Sequence, residues 1–242
     1  MQMRRRSPLA PHAHATVAEN KVWYLKQSRL FERANEETIA NCERLFLQRE
    51  AGKGKVLFEQ GDEARLVYLV KRGTVRIARR TADGKDVTVA ILGAGSLFGE
   101  EVVFSEIERK TVAICMTDTL LCTARAEHVY GLLQTYPQLS LNVAKYLHEQ
   151  RDDALAIAED VAYLTVPDRL MRVFARLSGE YGKAVEDGTL LDIRLTQNDL
   201  ASLIGSTRET VSLKLAELAR DGHIRLQDRS IVILAPQAVS TA

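Results

Sequence analysis

The stretch TQNDLASLIGSTRETVSLKLAEL, residues 196–218, reads as two short helices joined at Gly205. Thr196 is placed to cap the first helix, with Asp199 three residues on, and Leu200, Leu203 and Ile204 give that helix an apolar face. Gly205 supplies the tight turn. Ser206 and Glu209 stand at the S-x-x-E spacing of a capping box, which predicts that the second helix is capped by Ser206. Val211, Leu215 and Leu218 follow at i, i+4 and i+7, so one stripe of that helix must pack inward. The opposite stripe carries Arg208, Glu209, Ser212 and Leu213. Its first turn is the part of a recognition helix that reaches base edges, where arginine bonds guanine bidentately and glutamate accepts from cytosine. Thr196, Ser206, Thr207, Lys214 and Arg229 are the candidate phosphate contacts.

Downstream, HIRLQDRSIVIL at 223–234 gives two short alternating runs around Gln227-Asp228-Arg229, the pattern of a wing. Upstream, Thr165 is set to cap a helix that carries Leu170, Val173, Phe174 and Leu177 on one face, with Asp168 in its first turn. Glu180 to Gly188 reads as a loop leading to a short strand at 190–193. Ten Lys or Arg and ten Asp or Glu lie between Val166 and Ala242, so bulk charge does not argue for DNA. The cations Arg208, Lys214, Arg220, Arg225 and Arg229 must then be gathered on one face.

Tyr136-Pro137 opens a helix running to about Leu164. Val143, Leu147, Gln150, Ala154, Ile157, Val161 and Leu164 recur in it at steps of four and three, the seam of a parallel coiled coil. A homodimer follows. From Gly52 to about Ala126 the pattern is β, with regularly spaced glycines, alternating runs such as Val87/Val89/Ile91, and Asp83-Gly84 as a two-residue hairpin signal. Strands at this spacing imply a closed roll that can leave a central pocket. Residues 1–20 read as a flexible arm, 21–135 as the roll and its helices, 136–165 as the dimerisation helix and 166–242 as the DNA-binding part.

With 242 residues, 46% hydrophobic and 27% charged, the chain suits two globular domains rather than a fibrous or disordered protein. It shows neither a run of about 20 apolar residues nor the apolar core of a signal peptide, so a cytoplasmic protein without membrane contact is expected. Cys42, Cys115 and Cys122 lack metal-site spacing and read as buried thiols, with a Cys115/Cys122 redox pair as the lesser reading. No nucleophile and base stand at interpretable spacing, and no Walker or Rossmann glycine pattern occurs, so an enzyme is not expected.

From about Leu25 to Leu234 the chain resembles the CRP/FNR family of bacterial transcription regulators. The most specific match is Ser-Thr-Arg-Glu-Thr-Val at 206–211. The resemblance implies an α+β fold: an N-terminal β-roll (jelly roll) like a cyclic-nucleotide-binding domain, a long dimerisation helix and a C-terminal winged helix-turn-helix. It implies an inverted-repeat operator on double-stranded DNA, with RNA polymerase as a further partner. Arg208 and Glu209 match the readers of a TGTGA-like half-site, while a third reading position, often arginine in the family, is Leu213. LFGEE at 97–101 and ERKTVA at 108–113 fall where cyclic-nucleotide binders carry a phosphate cassette, which marks Gly99, Glu100, Glu101, Arg109, Lys110 and Thr111 as effector candidates. There Glu100 would hold a ribose hydroxyl and Arg109 the phosphate. Against this, Lys110 replaces a small hydroxyl residue, and Ala154 and Leu155 replace the hydroxyls that meet the adenine. The iron-sulfur and haem branches lack their ligands in this chain, since the N-terminal cysteine cluster is absent and no histidine lies between Lys21 and Glu127. Three readings stay open: a regulator not strictly dependent on cyclic AMP, with Glu100 and Arg109 kept as an internal ion pair; a cyclic-AMP-activated regulator using them as a nucleotide site; and a nucleotide-sensing module with no DNA role.

Overall fold

The computed structural model describes residues 25–235, apart from Gln27, Lys85, residues 105–107, Asp228 and Arg229. The arm expected over residues 1–20 and the contact expected of Arg229 lie outside the described residues.

Strands β1 (Leu47–Ala51), β2 (Val56–Phe58), β3 (Leu66–Arg72), β4 (Val75–Arg80), β5 (Asp86–Leu92), β6 (Leu97–Phe98), β7 (Val112–Cys115) and β8 (Thr119–Arg125) form two antiparallel sheets, ordered β1-β8-β3-β6 and β2-β7-β4-β5. Phe58, Val75, Leu92 and Ala113 of one sheet pack on Tyr68, Val70, Phe98 and Leu121 of the other. Strand β3 is buried along nearly its whole length because its second face, through Val67 and Leu69, lies under helices. The expected two-residue turn at Asp83-Gly84 is longer. Register Arg80↔Asp86 leaves residues 81–85 as the connection, and the Gly84 N–H closes onto the Thr81 carbonyl at 2.9 Å with Gly84 at φ 79°. Cys115 and Cys122 stand on strands of different sheets, both buried and in no disulfide, so the redox pairing has no support from the topology.

Helices α1 (Glu36–Glu43), α2 (Glu101–Phe104) and α3 (Ala126–Thr135) flank the roll, and α4 (Pro137–Tyr163) follows. With 27 residues it is about 40 Å long at 1.5 Å per residue. Leu139, Asn142, Val143 and Tyr146 attach its first half to the roll. Asn142 donates to the carbonyls of Leu30 and Glu32 at 2.9 and 2.8 Å, and the Tyr146 hydroxyl to that of Leu97 at 2.7 Å. No helix among the described residues is long and apolar enough to cross a membrane.

Helix α5 (Val166–Tyr181) is capped by Thr165, whose side chain accepts from the Asp168 N–H. It runs on to Tyr181, and the segment expected as a loop forms strand β9 (Gly182–Val185), paired with β10 (Gly188–Leu191). Hydrogen bonding across this hairpin organises residues that carry no strand periodicity of their own. Helices α6 (Gln197–Leu203) and α7 (Arg208–Arg220) follow, then β11 (Ile224–Gln227) and β12 (Ser230–Leu234), paired from Ile224↔Ile233 to Gln227↔Ser230 as the wing. Leu170, Phe174, Leu200, Ile204, Val211, Leu215 and Ile231 close one core beneath these elements.

Candidate nucleic-acid interface and effector cassette

Helix α6 begins with a complete capping box. The Thr196 hydroxyl accepts from the Asp199 N–H at 3.1 Å, and Asp199 Oδ2 takes the Thr196 N–H at 2.9 Å. Gly205 then adopts φ 61°, in the left-handed region that glycine enters without penalty. The second helix starts one residue later than expected. Ser206 is used by the turn, its N–H bonding the Ala201 carbonyl at 2.9 Å, and Thr207 is the cap, accepting from the Thr210 N–H at 3.2 Å. The displaced cap moves Arg208 to the first position of α7.

Val211, Leu215 and Leu218 turn inward, and Arg208, Glu209, Ser212 and Leu213 are all exposed together on the opposite face. Leu213 keeps 58% of its surface in water, an apolar contact available to a thymine methyl. The Gln197 amide lies 3.4 Å from Ser212 Oγ and ties the reading face to the start of α6. Thr196 and Thr207 are exposed beside it and Ser206 is half-buried. Lys214 is engaged with Glu217 at 2.7 Å, so a phosphate would have to draw it from that partner. Arg225 is held on Asp187 through both terminal nitrogens.

In the roll, Gly99 sits at φ 74°, and a Cβ there would lie 2.7 Å from Arg109 Nη1, so glycine is required for the arginine to approach. Arg109 is 2% exposed. Its Nη1 donates to the Gly99 carbonyl at 3.1 Å and to Glu101 Oε1 at 2.7 Å, and its Nη2 donates to the Leu66 carbonyl. The ion pair expected between Glu100 and Arg109 is therefore formed by Glu101 instead. The guanidinium lies 4.2 Å from the Phe58 ring centroid and 5.7 Å from that of Tyr68. Tyr68 and Phe98 stack at 4.9 Å, and Phe58, Tyr68 and Arg109 border a cavity of about 800 Å³ that Leu57, Leu66 and Thr123 also line. Desolvation by burial pushes the Glu100 carboxyl up to about 7. Lys110 is exposed and Thr111 half-buried.

A phosphate paired with Arg109 would compete with Glu101 and with the carbonyls of Gly99 and Leu66 for its terminal nitrogens. Ala154 and Leu155, both exposed on α4, offer no hydrogen bond to a base. No signal in the sequence singled out Phe58, Tyr68 or Leu66 as the groups that would occupy Arg109.

The roll and the exposed reading helix define a class: a winged helix-turn-helix DNA-binding regulator joined to a cyclic-nucleotide-binding-type domain. The sequence matches the families described as "Cyclic nucleotide-binding domain" over residues 48–136 and "Crp-like helix-turn-helix domain" over residues 168–241. It is 32% identical to the cyclic AMP receptor protein of Thermus thermophilus, covering 84% of this chain and 90% of that one. It is 26% identical to the CRP-like cAMP-activated global transcriptional regulator of Mycobacterium tuberculosis, covering 86% and 93%. Among solved structures, the c-di-GMP responsive global regulator CLP of Xanthomonas campestris superposes with a TM-score of 0.73 at 25% identity, covering 84% of this chain and all of that one. The chain belongs to the CRP/FNR family of transcription regulators.

Proposed function

We propose that this regulator binds an inverted-repeat operator as a homodimer without requiring cyclic AMP, and acts on transcription through RNA polymerase. The observation that carries the reading is Arg109. A phosphate-pairing arginine must present free donors, and this one spends its terminal nitrogens on Glu101, Gly99 and Leu66 and its face on Phe58. A ligand shifts a two-state protein only by its differential affinity, and moving 1:99 to 99:1 takes about 5.5 kcal/mol. Neither the phosphate side nor the base side of this site offers that much. The relatives' names support the same view, because one is called cAMP-activated and another c-di-GMP responsive, so the effector varies within the family.

The dimer is supported by α4. Beyond Gln150 most of the helix is exposed, and Leu141, Ala144, His148, Arg151, Leu155, Ala158 and Ala162 form an exposed stripe at steps of three and four. Calorimetry of the free protein with cyclic AMP, paired with operator titrations, tests the reading. Expected is operator binding of equal strength with and without the nucleotide. Micromolar nucleotide binding together with about a hundredfold gain in operator affinity, roughly 2.7 kcal/mol, would overturn it.

A further inference from the structure

The roll touches the DNA-reading part through a polar bridge at Asp199, which also closes the capping box of the first reading helix. Asp199 is 4% exposed. Its Oδ2 holds the Thr196 N–H and hydroxyl at 2.9 and 2.6 Å, while its Oδ1 accepts from the Thr88 hydroxyl of β5 at 3.0 Å and lies 3.6 Å from Arg76 of β4. Thr88 reaches it only because the β4–β5 ladder slips. Arg76 pairs with Ile91 and Ile77 with Ala90, but Ala78 pairs with Thr88, leaving Val89 without a partner. In unbroken alternation Thr88 would share the inner face with Ala90 and Leu92. The bulge turns it outward beside Arg76 and Ile91.

Two apolar contacts flank the bridge. Ile91 packs against the core of the reading part, and Tyr181 of α5 rests over Gly93, where a Cβ would lie 2.8 Å from its hydroxyl oxygen. Contacts at Asp199, Ile91 and Gly93 are enough to fix an orientation. Thus docked, the reading part still presents Arg208, Glu209, Ser212 and Leu213 to solvent. The cleft between the roll and the first turn of α7 is lined by Lys53, Arg194 and Arg208, and by Arg76 and Arg80, which are paired within the chain with Asp86, Asp199 and Glu59.

We infer that Thr88 and Arg76 are positioning residues for DNA recognition: through Asp199 they hold the reading helix in its DNA-competent orientation, taking the place of a bound effector. This rests on the ligand-free reading above. A regulator that reads two half-sites at once must orient both reading helices, and a part left loose at the Thr165 junction loses that freedom only on binding, which lowers affinity. A buried hydrogen bond to a carboxylate in each protomer sets the scale of the effect at about tenfold or more in operator affinity.

The test is Thr88→Val, which keeps the branched shape and removes the hydroxyl, with Thr88→Ser as the conservative partner. Both are titrated with the full inverted repeat and with random DNA. The inference expects Thr88→Val to bind the inverted repeat about tenfold more weakly, with random DNA and the thermal midpoint little changed and Thr88→Ser restoring affinity. Gly93→Ala, which pushes Tyr181 off its seat, should give the same loss. Arg76→Gln should weaken the operator without lowering the slope of log affinity against log salt, because Arg76 acts through Asp199 and not on phosphate. Unchanged or tighter operator binding by Thr88→Val overturns the inference, the latter by making the bridge a brake. A lowered salt slope for Arg76→Gln overturns its positioning role. Every titration is run with and without cyclic AMP, so a wild type that needs the nucleotide sinks the ligand-free reading alone, while the ratio of variant to wild type still tests the bridge.

Discussion

Burial is the main cause that drives the Glu100 carboxyl upward, to about 7, with Glu101 adding to the shift and a backbone hydrogen bond and Arg109 opposing it. A group whose folded pKa is raised gives stability that is fully present below its unfolded value, near 4.5, and lost as pH rises through about 7. Glu100→Gln should therefore flatten the fall in stability over that window. Urea midpoints measured every half unit from about pH 5 to pH 8 check this, and a slope equal to that of the wild type contradicts the burial of the carboxyl. The buried charge of Arg109 is matched by Glu101, by two carbonyls and by the face of Phe58. The three buried cysteines have no comparable role. Burial pushes the Cys42 thiol up to about 11 and that of Cys115 upward, away from the reactive thiolate.

For the long helix, the period of the apolar pattern and the face it occupies have to be separated. Of the expected seam, Val143 lies in the chain's own core. Gln150 and Ile157 line a cleft against β5 and α5, and Val161 faces the turn at Gly205, where a Cβ would sit 3.0 Å from its Cγ2. Leu147 and Ala154 are exposed, and Leu164 is the C-cap of α4. A second exposed stripe is turned from it by about one residue, with Leu141 at 64% and Leu155 at 54% exposure as its large apolar members. Of the expected seam, Val143 is buried and Gln150 and Ile157 are half-buried against the chain itself, while Leu147, Ala154 and Val161 stay exposed, so the two stripes lie side by side and substitution has to choose between them. Leu155→Lys should give monomers in sedimentation, whereas Ile157→Lys should leave the dimer and disturb the docking of α5. The reverse pattern would restore the original seam.

As a whole, the molecule presents one reading helix per chain, so a two-fold dimer should protect an inverted repeat with half-site centres about 34 Å apart. Arg208→Ala should cost about 1–3 kcal/mol on that operator and relax preference at one guanine. Footprinting and a panel of single-base operator variants read both quantities. Protection of a single half-site, or an equal loss on every sequence, contradicts two-fold base reading through Arg208.

Local chemistry made much of this legible in the amino-acid order. Caps, a glycine turn and an inward stripe are set by residues within a few positions of one another, so the reading helix, the wing and the order of roll, long helix and reader follow from residues 52–234 alone. The cap at Thr207 rather than Ser206 shows the limit even there, because the Ala201 carbonyl claims the Ser206 N–H. Contacts between residues far apart in the chain were left to the tertiary structure: Glu101 rather than Glu100 on Arg109, Phe58 across its face, and Asp199 held by Thr88 from 111 positions away. A one-residue slip of β5 against β4 decides which face Thr88 takes, and that slip is a property of the paired strands, absent from either strand taken alone.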